Sequence, residues 1–250
     1  MIWKIRDENK IVLEVGSFGK KDYAVGSCLP VGELNFDLKR ITKAKKLIIE
    51  ISVKGTQYRN EWSIWVYPSM LRKDNRNVLV TGSLQEALDA LKKGGKVLLC
   101  PSPDTLKGVT GKFVPVFWSP VHFPDQPGTM GLLIKSNHKA LKDFPTDFYS
   151  NWQWWDLTIK SRTLNAGTLP DKAIIVRVID NFARNQSLTN LFEAKLGTGR
   201  LIFCSIDILS DLDKRPQAKQ LRYSLLKYMN GKDFKPEVNI TNEKIKKYFK

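Results

Sequence analysis

The apolar pattern of this chain changes once, near residue 70, and this change constrains the fold more than any other feature. Residues 1–68 hold short alternations of polar and apolar side chains at regular spacing, which is typical of an all-β domain. The predicted strands cover residues 3–5, 11–15, 32–38, 46–53 and 61–67. Because an immunoglobulin-like sandwich has about seven strands, we predict a partial, truncated β-sandwich over residues 1–70.

After the polar stretch 68–77, predicted strands alternate with predicted helices, which indicates a three-layer α/β domain over residues 75–231. Ser83 and Glu86 form a capping-box pattern for a helix over 84–93, and Pro216 begins a long helix that ends before Gly231. The tail, residues 232–250, is basic and is expected to end in a short helix from Thr241. The predicted strands are 78–81, 96–100, 113–117, 131–134, 173–179, 191–196 and 200–206, and a hairpin turn at 197–199 joins the last two.

The segment from Gly111 to Asp156 contains four of the seven tryptophans and both histidines. Its prolines remove backbone donors and fix φ, so the segment cannot be one regular element. Long loops inside compact domains are usually functional, and the bulky aromatic side chains argue against disorder. We therefore predict an ordered, functional loop, with simple burial of the aromatic rings as the competing interpretation.

Charge and cysteine content exclude several classes of function. The formal net charge is +16, but the lysines are spread along the whole chain, so we do not expect a nucleic-acid partner. No apolar run is long enough to span a bilayer. The three cysteines, Cys28, Cys100 and Cys204, are expected to be free thiols, the latter two in buried strands. His122 and His138 lack a metal-ligand spacing, so we expect neither a metal nor a cofactor.

Long motifs extend over most of the chain: WSIWVYP, GKFVPVFWSPVHFPDQPGTMGLL, FPTDFYSNWQWWDL, VRVIDNFARNQSLTNLFEAKLGTGRLIFCSIDI and RPQAKQLRYSLLKYM. They resemble the C-terminal region of glycoside hydrolase family 2 proteins, the β-galactosidase-like enzymes of Bacteroidetes. The resemblance implies a partial immunoglobulin-like sandwich followed by a domain similar in outline to class I glutamine amidotransferases and flavodoxin-like folds. Fold similarity of this kind does not by itself imply a chemistry.

The same resemblance implies a non-catalytic accessory region. The (β/α)8 barrel that carries the family's two catalytic glutamates has no counterpart in this chain, because 250 residues with this pattern leave no room for it. The expected partner is carbohydrate or the catalytic domain of the parent enzyme, and association through the sandwich edge is possible. A parent typical of the family would act in the periplasm or at the cell surface.

Two chemical interpretations remain open at this point. An amidotransferase nucleophile is not expected, since prolines follow Cys100 and no glycines flank Cys204. A hydrolase in its own right would use Asp156, Asp180 or Asp207 with His122 beside them. A carbohydrate-binding surface would combine the tryptophans with polar groups that bond sugar hydroxyls. Its predicted residues are Trp118, His122, Trp152, Trp154, Trp155, Asp156, Asp180 and Arg184.

Overall fold

The chain forms two compact units, Met1–Ser69 and Met70–Lys250, in a computed structural model that describes residues 1–71, 76–112 and 128–250. The general α/β character is confirmed, since the chain combines sheets, one of them mixed, with helices. The predicted strand 113–117 lies outside the described residues. Among the described residues, no helix is both long enough and apolar enough to cross a membrane.

The first unit is a single antiparallel sheet of four strands in the order β2-β1-β3-β4. Its core is small and centres on the buried side chains of Ile5, Leu47 and Val66. With so few buried residues, this unit has much less apolar burial to stabilise it than the second unit has. The strands are β1 (Ile2–Asp7), β2 (Val12–Ser17), β3 (Lys45–Ser52) and β4 (Arg59–Val66).

The predicted strand over residues 32–38 is wrong, because residues 32–37 form no strand, and the described strands of the partial sandwich form one sheet. Leu34 and Phe36 do pack against the sheet, as their alternation indicated, but from an irregular segment. Asp37 then caps a 3₁₀ turn by accepting a hydrogen bond from the Lys39 amide. An irregular segment, and not a strand of a second sheet, thus packs against the four-stranded sheet.

The second unit contains a seven-stranded mixed sheet in the order β5-β6-β11-β10-β9-β7, with β8 paired to β10. Strands β5, β6 and β11 are mutually parallel, and the remaining pairings are antiparallel. The strands are β5 (Leu79–Thr81), β6 (Lys96–Leu99), β7 (Gly131–Ile134), β8 (Leu164–Asn165), β9 (Ile174–Ile179), β10 (Ser187–Leu196) and β11 (Gly199–Cys204). The helices are α1 (Leu84–Lys92), α2 (Trp152–Ile159), α3 (Pro216–Asn230) and α4 (Asn242–Lys246).

Helices lie on both faces of this sheet. Phe192 and Ala194 of β10 belong to the core cluster that also contains the buried residues of α1 and Ile245 of α4. Between them, Glu193 points to the opposite face, where its carboxylate accepts a hydrogen bond of 2.8 Å from Tyr228 of α3. The sheet therefore separates α1 and α4 from α3.

The C-terminal residues are part of this unit and not a tail, which corrects the predicted boundary at 231. The Lys195 amide donates to the Val238 carbonyl, and the Ile240 amide donates to the Lys195 carbonyl. These two hydrogen bonds join the C-terminal segment to β10. Five apolar side chains of this segment are buried, so the α/β core is incomplete without them. They are Phe234, Val238, Ile240, Ile245 and Tyr248.

Glu193 makes the stability of the second unit dependent on pH. Burial raises the pKa of this carboxyl group, although the Tyr228 hydroxyl opposes the shift. A carboxyl with a raised folded pKa contributes stability below its unfolded pKa, and this is lost as pH rises through the folded pKa. Glu193→Gln is therefore expected to raise the melting temperature at neutral pH. The melting temperature of this variant should also fall less steeply than that of the parent as pH rises above the acidic range, and circular dichroism measures both. Asp104→Asn, at an exposed position of the second unit, is the control, and an unchanged pH profile in Glu193→Gln would contradict the assignment.

Candidate functional site

The carboxyl ends of β6, β9 and β11 lie at the same edge of the sheet. Strand β10 runs antiparallel to both β9 and β11, so these two strands point the same way. Asp180 directly follows β9 and Asp207 follows β11. Open α/β sheets form their binding sites at this edge, so the expectation that both residues stand there is met.

Helix α2 carries the tryptophans of this region and was not predicted. Asn151 caps it by accepting a hydrogen bond of 3.2 Å from the Gln153 amide, and the helix spans only eight residues. Gln153, Trp154, Leu157 and Thr158 are buried on one side. The local signal for it is the Asn151 cap ahead of the apolar side chains Trp154 and Leu157, although eight residues are too few for periodicity alone to identify a helix.

Trp154 is a core residue, which corrects its predicted place in the binding surface. Its side chain is fully buried and meets the Phe144 ring edge-on at a centroid distance of 5.3 Å. Its indole nitrogen donates a hydrogen bond of 2.8 Å to Thr146 Oγ1. Buried indoles usually find such a partner, so this ring stabilises the fold and leaves no face for a ligand.

Trp152 and Trp155 lie on the outward side of α2. They are 79% and 42% exposed, and their ring centroids are 6.2 Å apart with planes inclined by 54°. Asp156 lies one turn after Trp152 on this side of the helix. We call Trp152, Trp155 and Asp156 the α2 surface. Trp118 and His122, which were predicted to join it, lie outside the described residues.

Arg215 joins two of the predicted acidic residues. Its Nε lies 2.7 Å from Asp156 Oδ2 and its Nη1 lies 3.3 Å from Asp207 Oδ2. The guanidinium is 5% exposed and also donates to the Ser210 carbonyl. Burial alone would raise the pKa of Asp207, but hydrogen bonds from the Ser210 and Leu209 amides and the charge of Arg215 lower it. Sequence patterns gave no reason to expect this ion-pair cluster.

Asp180 and Arg184 bond mainly within their own loop. Arg184 Nη2 donates to Asp180 Oδ1 and to the Gly128 carbonyl, both at 2.6 Å. The amides of Asn181 and Gln186 donate to the two oxygens of the same carboxylate. Asp180 is buried, so the predicted pair orders the loop after β9.

The remaining candidates carry structural roles. His138 Nδ1 accepts a hydrogen bond from the Ala140 amide and so caps a 3₁₀ turn. Burial raises the pKa of the Cys100 thiol, which is the reverse of what a cysteine nucleophile needs. In the part of the chain that the structure describes, no group of three or more His, Cys, Asp or Glu side chains could hold a metal ion.

The ion-pair cluster predicts a measurable loss of stability. Arg215→Met leaves Asp156 and Asp207 without their cation and is expected to cost about 2 to 3 kcal/mol at neutral pH. The pKa of Asp207 is lowered in the folded state, so its interaction with Arg215 stabilises the fold above the unfolded pKa. The stability deficit of Arg215→Met should therefore shrink as pH falls through the acidic range. Urea denaturation at several pH values measures it, with Lys214→Met as the exposed control. An equal deficit at all pH values would show that Arg215 acts through packing and not charge.

The second unit is thus an α/β domain with a mixed sheet. Its exposed tryptophans lie on helix α2, which Arg215 links to Asp207 at the edge formed by the carboxyl ends of β6, β9 and β11. Residues 79–250 match the family described as "Domain of unknown function (DUF8487)", and residues 1–68 match "Domain of unknown function (DUF8488)". Because the first match covers more than half of the chain, the chain belongs to the DUF8487 family. Comparison with curated proteins finds no match.

Proposed function

We propose that this chain binds carbohydrate through the α2 surface, as a non-catalytic accessory region of a glycoside hydrolase family 2 protein. The observation that carries the proposal is the exposure of Trp152 and Trp155, 79% and 42%, on one side of a capped helix. Exposed tryptophan pairs leave large apolar faces in water, and such faces usually serve binding. Indole faces stack on the apolar C–H faces of pyranose rings.

Asp156 supplies the polar part of the surface. Its side chain is 28% exposed, and its Oδ2 is held by Arg215, so the carboxylate is fixed in direction before any ligand arrives. A preorganised acceptor next to an aromatic face fits the usual composition of sites for small polar ligands. Sugar hydroxyls that donate to Asp156 would orient a ring stacked on the neighbouring indoles.

The proposed origin is supported by the motifs and by the outline of the fold. A sheet with helices on both faces is compatible with the amidotransferase- or flavodoxin-like architecture expected for this region. Among the described strands only the pairings β5–β6 and β6–β11 are parallel, so the compatibility is one of outline. The partner would then be a glycan or the parent's catalytic domain, and the location would be the periplasm or cell surface.

The rival proposal, a hydrolase that uses Asp156, Asp180 or Asp207, has weaker support. Glycosidases need one carboxyl that stays protonated as the general acid. The pKa of Asp207 is lowered, Asp156 is paired with Arg215, and Asp180 is bonded by two amides and Arg184. We therefore expect no turnover of aryl β-galactosides by the purified chain. Activity that is abolished by Asp207→Asn would favour the rival.

The proposal is tested by isothermal titration calorimetry with galactosides and plant-derived oligosaccharides. Trp152→Ala is expected to weaken binding by roughly tenfold, because one stacked ring contributes on the order of 1 kcal/mol or more. Trp62→Ala, at a 47% exposed tryptophan of the first unit, is the matched control and should bind as the parent does. If no sugar in the panel binds the parent chain, the carbohydrate proposal fails.

A further inference from the structure

Cys100 directly follows β6, and Cys204 is the last residue of the adjacent parallel strand β11. The register pairs Leu99 with Phe203, so the next residue of each segment brings the two cysteines side by side. Leu99 and Phe203 both belong to the core cluster on the α1 side of the sheet. Because side chains alternate along a strand, both cysteines point to the α3 side.

The two thiols are within reach of each other. Both side chains are buried, and burial together with the neighbouring Cys204 thiol raises the pKa of the Cys100 thiol. Neighbouring strands are about 4.8 Å apart, and disulfides join Cα atoms that are about 4.4 to 6.8 Å apart. The strand spacing therefore permits a covalent bond without moving either strand. Cys28, the third cysteine, is exposed and belongs to the other unit.

We propose that Cys100 and Cys204 form a disulfide when the chain folds in oxidising surroundings. A thiolate of one cysteine attacks a low-molecular-weight disulfide, forms a mixed disulfide and releases one small thiol. The second cysteine then attacks the mixed disulfide and releases the other small thiol, so two protons and two electrons leave the protein. The bond would link the ends of β6 and β11 at the edge where Asp207 stands. This inference does not depend on carbohydrate binding.

Burial determines when the bond forms. A thiol that is inaccessible and has a raised pKa reacts slowly in the folded state, so oxidation belongs to folding. Once formed, the bond closes a loop of roughly a hundred residues, and long loops give the largest constraint on the unfolded chain. The folded, oxidised chain is therefore expected to melt at a higher temperature than the reduced chain.

The test uses the full chain with Cys28→Ser, which removes disulfides between molecules. The chain is refolded with a mixture of reduced and oxidised glutathione, denatured and alkylated, and its thiols are counted by mass spectrometry. We expect no alkylated thiol, and a tryptic species joining the Cys100 and Cys204 peptides that lacks the mass of two hydrogens. Reduction should restore two thiols and lower the melting temperature.

Two further measurements keep the outcome decisive. Cys204→Ala in the same background should melt at the same temperature with or without reductant. If refolding gives little material, the chain is incubated with oxidised glutathione at the urea midpoint of unfolding, where the thiols become exposed, returned to native conditions and counted in the same way. Two alkylated thiols after oxidation in a chain with native circular dichroism would overturn the proposal.

Discussion

A chain that ends at Gly231 is expected to lose the folded state of its second unit. The truncation removes five buried apolar side chains, among them the fully buried Phe234 and Ile245. Each such side chain contributes about 1.5 to 3 kcal/mol when buried, and the whole stability of a domain is only about 5 to 15 kcal/mol. The free energy lost with these five side chains is therefore about as large as the whole free energy of unfolding of a domain. Far-ultraviolet circular dichroism and thermal melting of residues 1–231 against the full chain measure the effect.

Point variants separate lost packing from a shorter chain. Ile245→Ala in the full-length chain is expected to cost about 2 to 5 kcal/mol, because it opens a cavity in the same core. Lys246→Ala, at an exposed position on the same helix, should change the stability little. A truncated chain that melts cooperatively at the parent temperature would show that residues 232–250 only lie on a complete core.

Trp154→Ala is expected to cost about 3 to 5 kcal/mol of unfolding free energy. The substitution removes the ring that fills the space beside Phe144 and leaves Thr146 Oγ1 without its indole donor. Urea denaturation followed by circular dichroism measures this loss without relying on tryptophan emission. Affinity for sugar, measured where the variant is folded, should stay close to that of the parent.

Trp152→Ala is the matched control for this substitution, because it lies two residues away on the same helix. Its side chain is 79% exposed, so its stability should stay within about 0.5 kcal/mol of the parent. Trp154→Ala should thus lower stability with little effect on sugar affinity, and Trp152→Ala should lower sugar affinity with little effect on stability. Equal, small losses of stability in both variants would mean that Trp154 is not a core residue.

The elements with strong local signals could be predicted from the sequence. Pro216 and Gly231 mark the ends of α3, and the glycines at 197 and 199 mark the turn between β10 and β11. Residues 32–38 misled the prediction because alternation reports burial on one side and not the presence of a partner strand. The predicted boundary at 231 was wrong because the many lysines of residues 232–250 made the segment look like a polar tail, although residues 234, 238 and 240 are apolar.

The site could be predicted only in part. The sequence places Asp180 and Asp207 after predicted buried strands, but their shared edge depends on the antiparallel pairing of both strands with β10. The division of the tryptophans into buried Trp154 and exposed Trp152 depends on α2, which is too short for periodicity to identify. Arg215 was missed because an ion pair between residues 59 positions apart leaves no local pattern.

The central claim is that sugar meets the outward side of α2, and the indole N–H signals of the chain test it most directly. Two-dimensional ¹⁵N–¹H spectra, assigned by single Trp→Phe variants, are recorded during titration with a soluble oligosaccharide that binds in calorimetry, or with the full panel if none does. The account predicts that the signals of Trp152 and Trp155 move together and saturate, while that of Trp154, held by Thr146, stays in place. Spectra in which no sugar moves Trp152 or Trp155, or in which Trp154 moves alone, would contradict it.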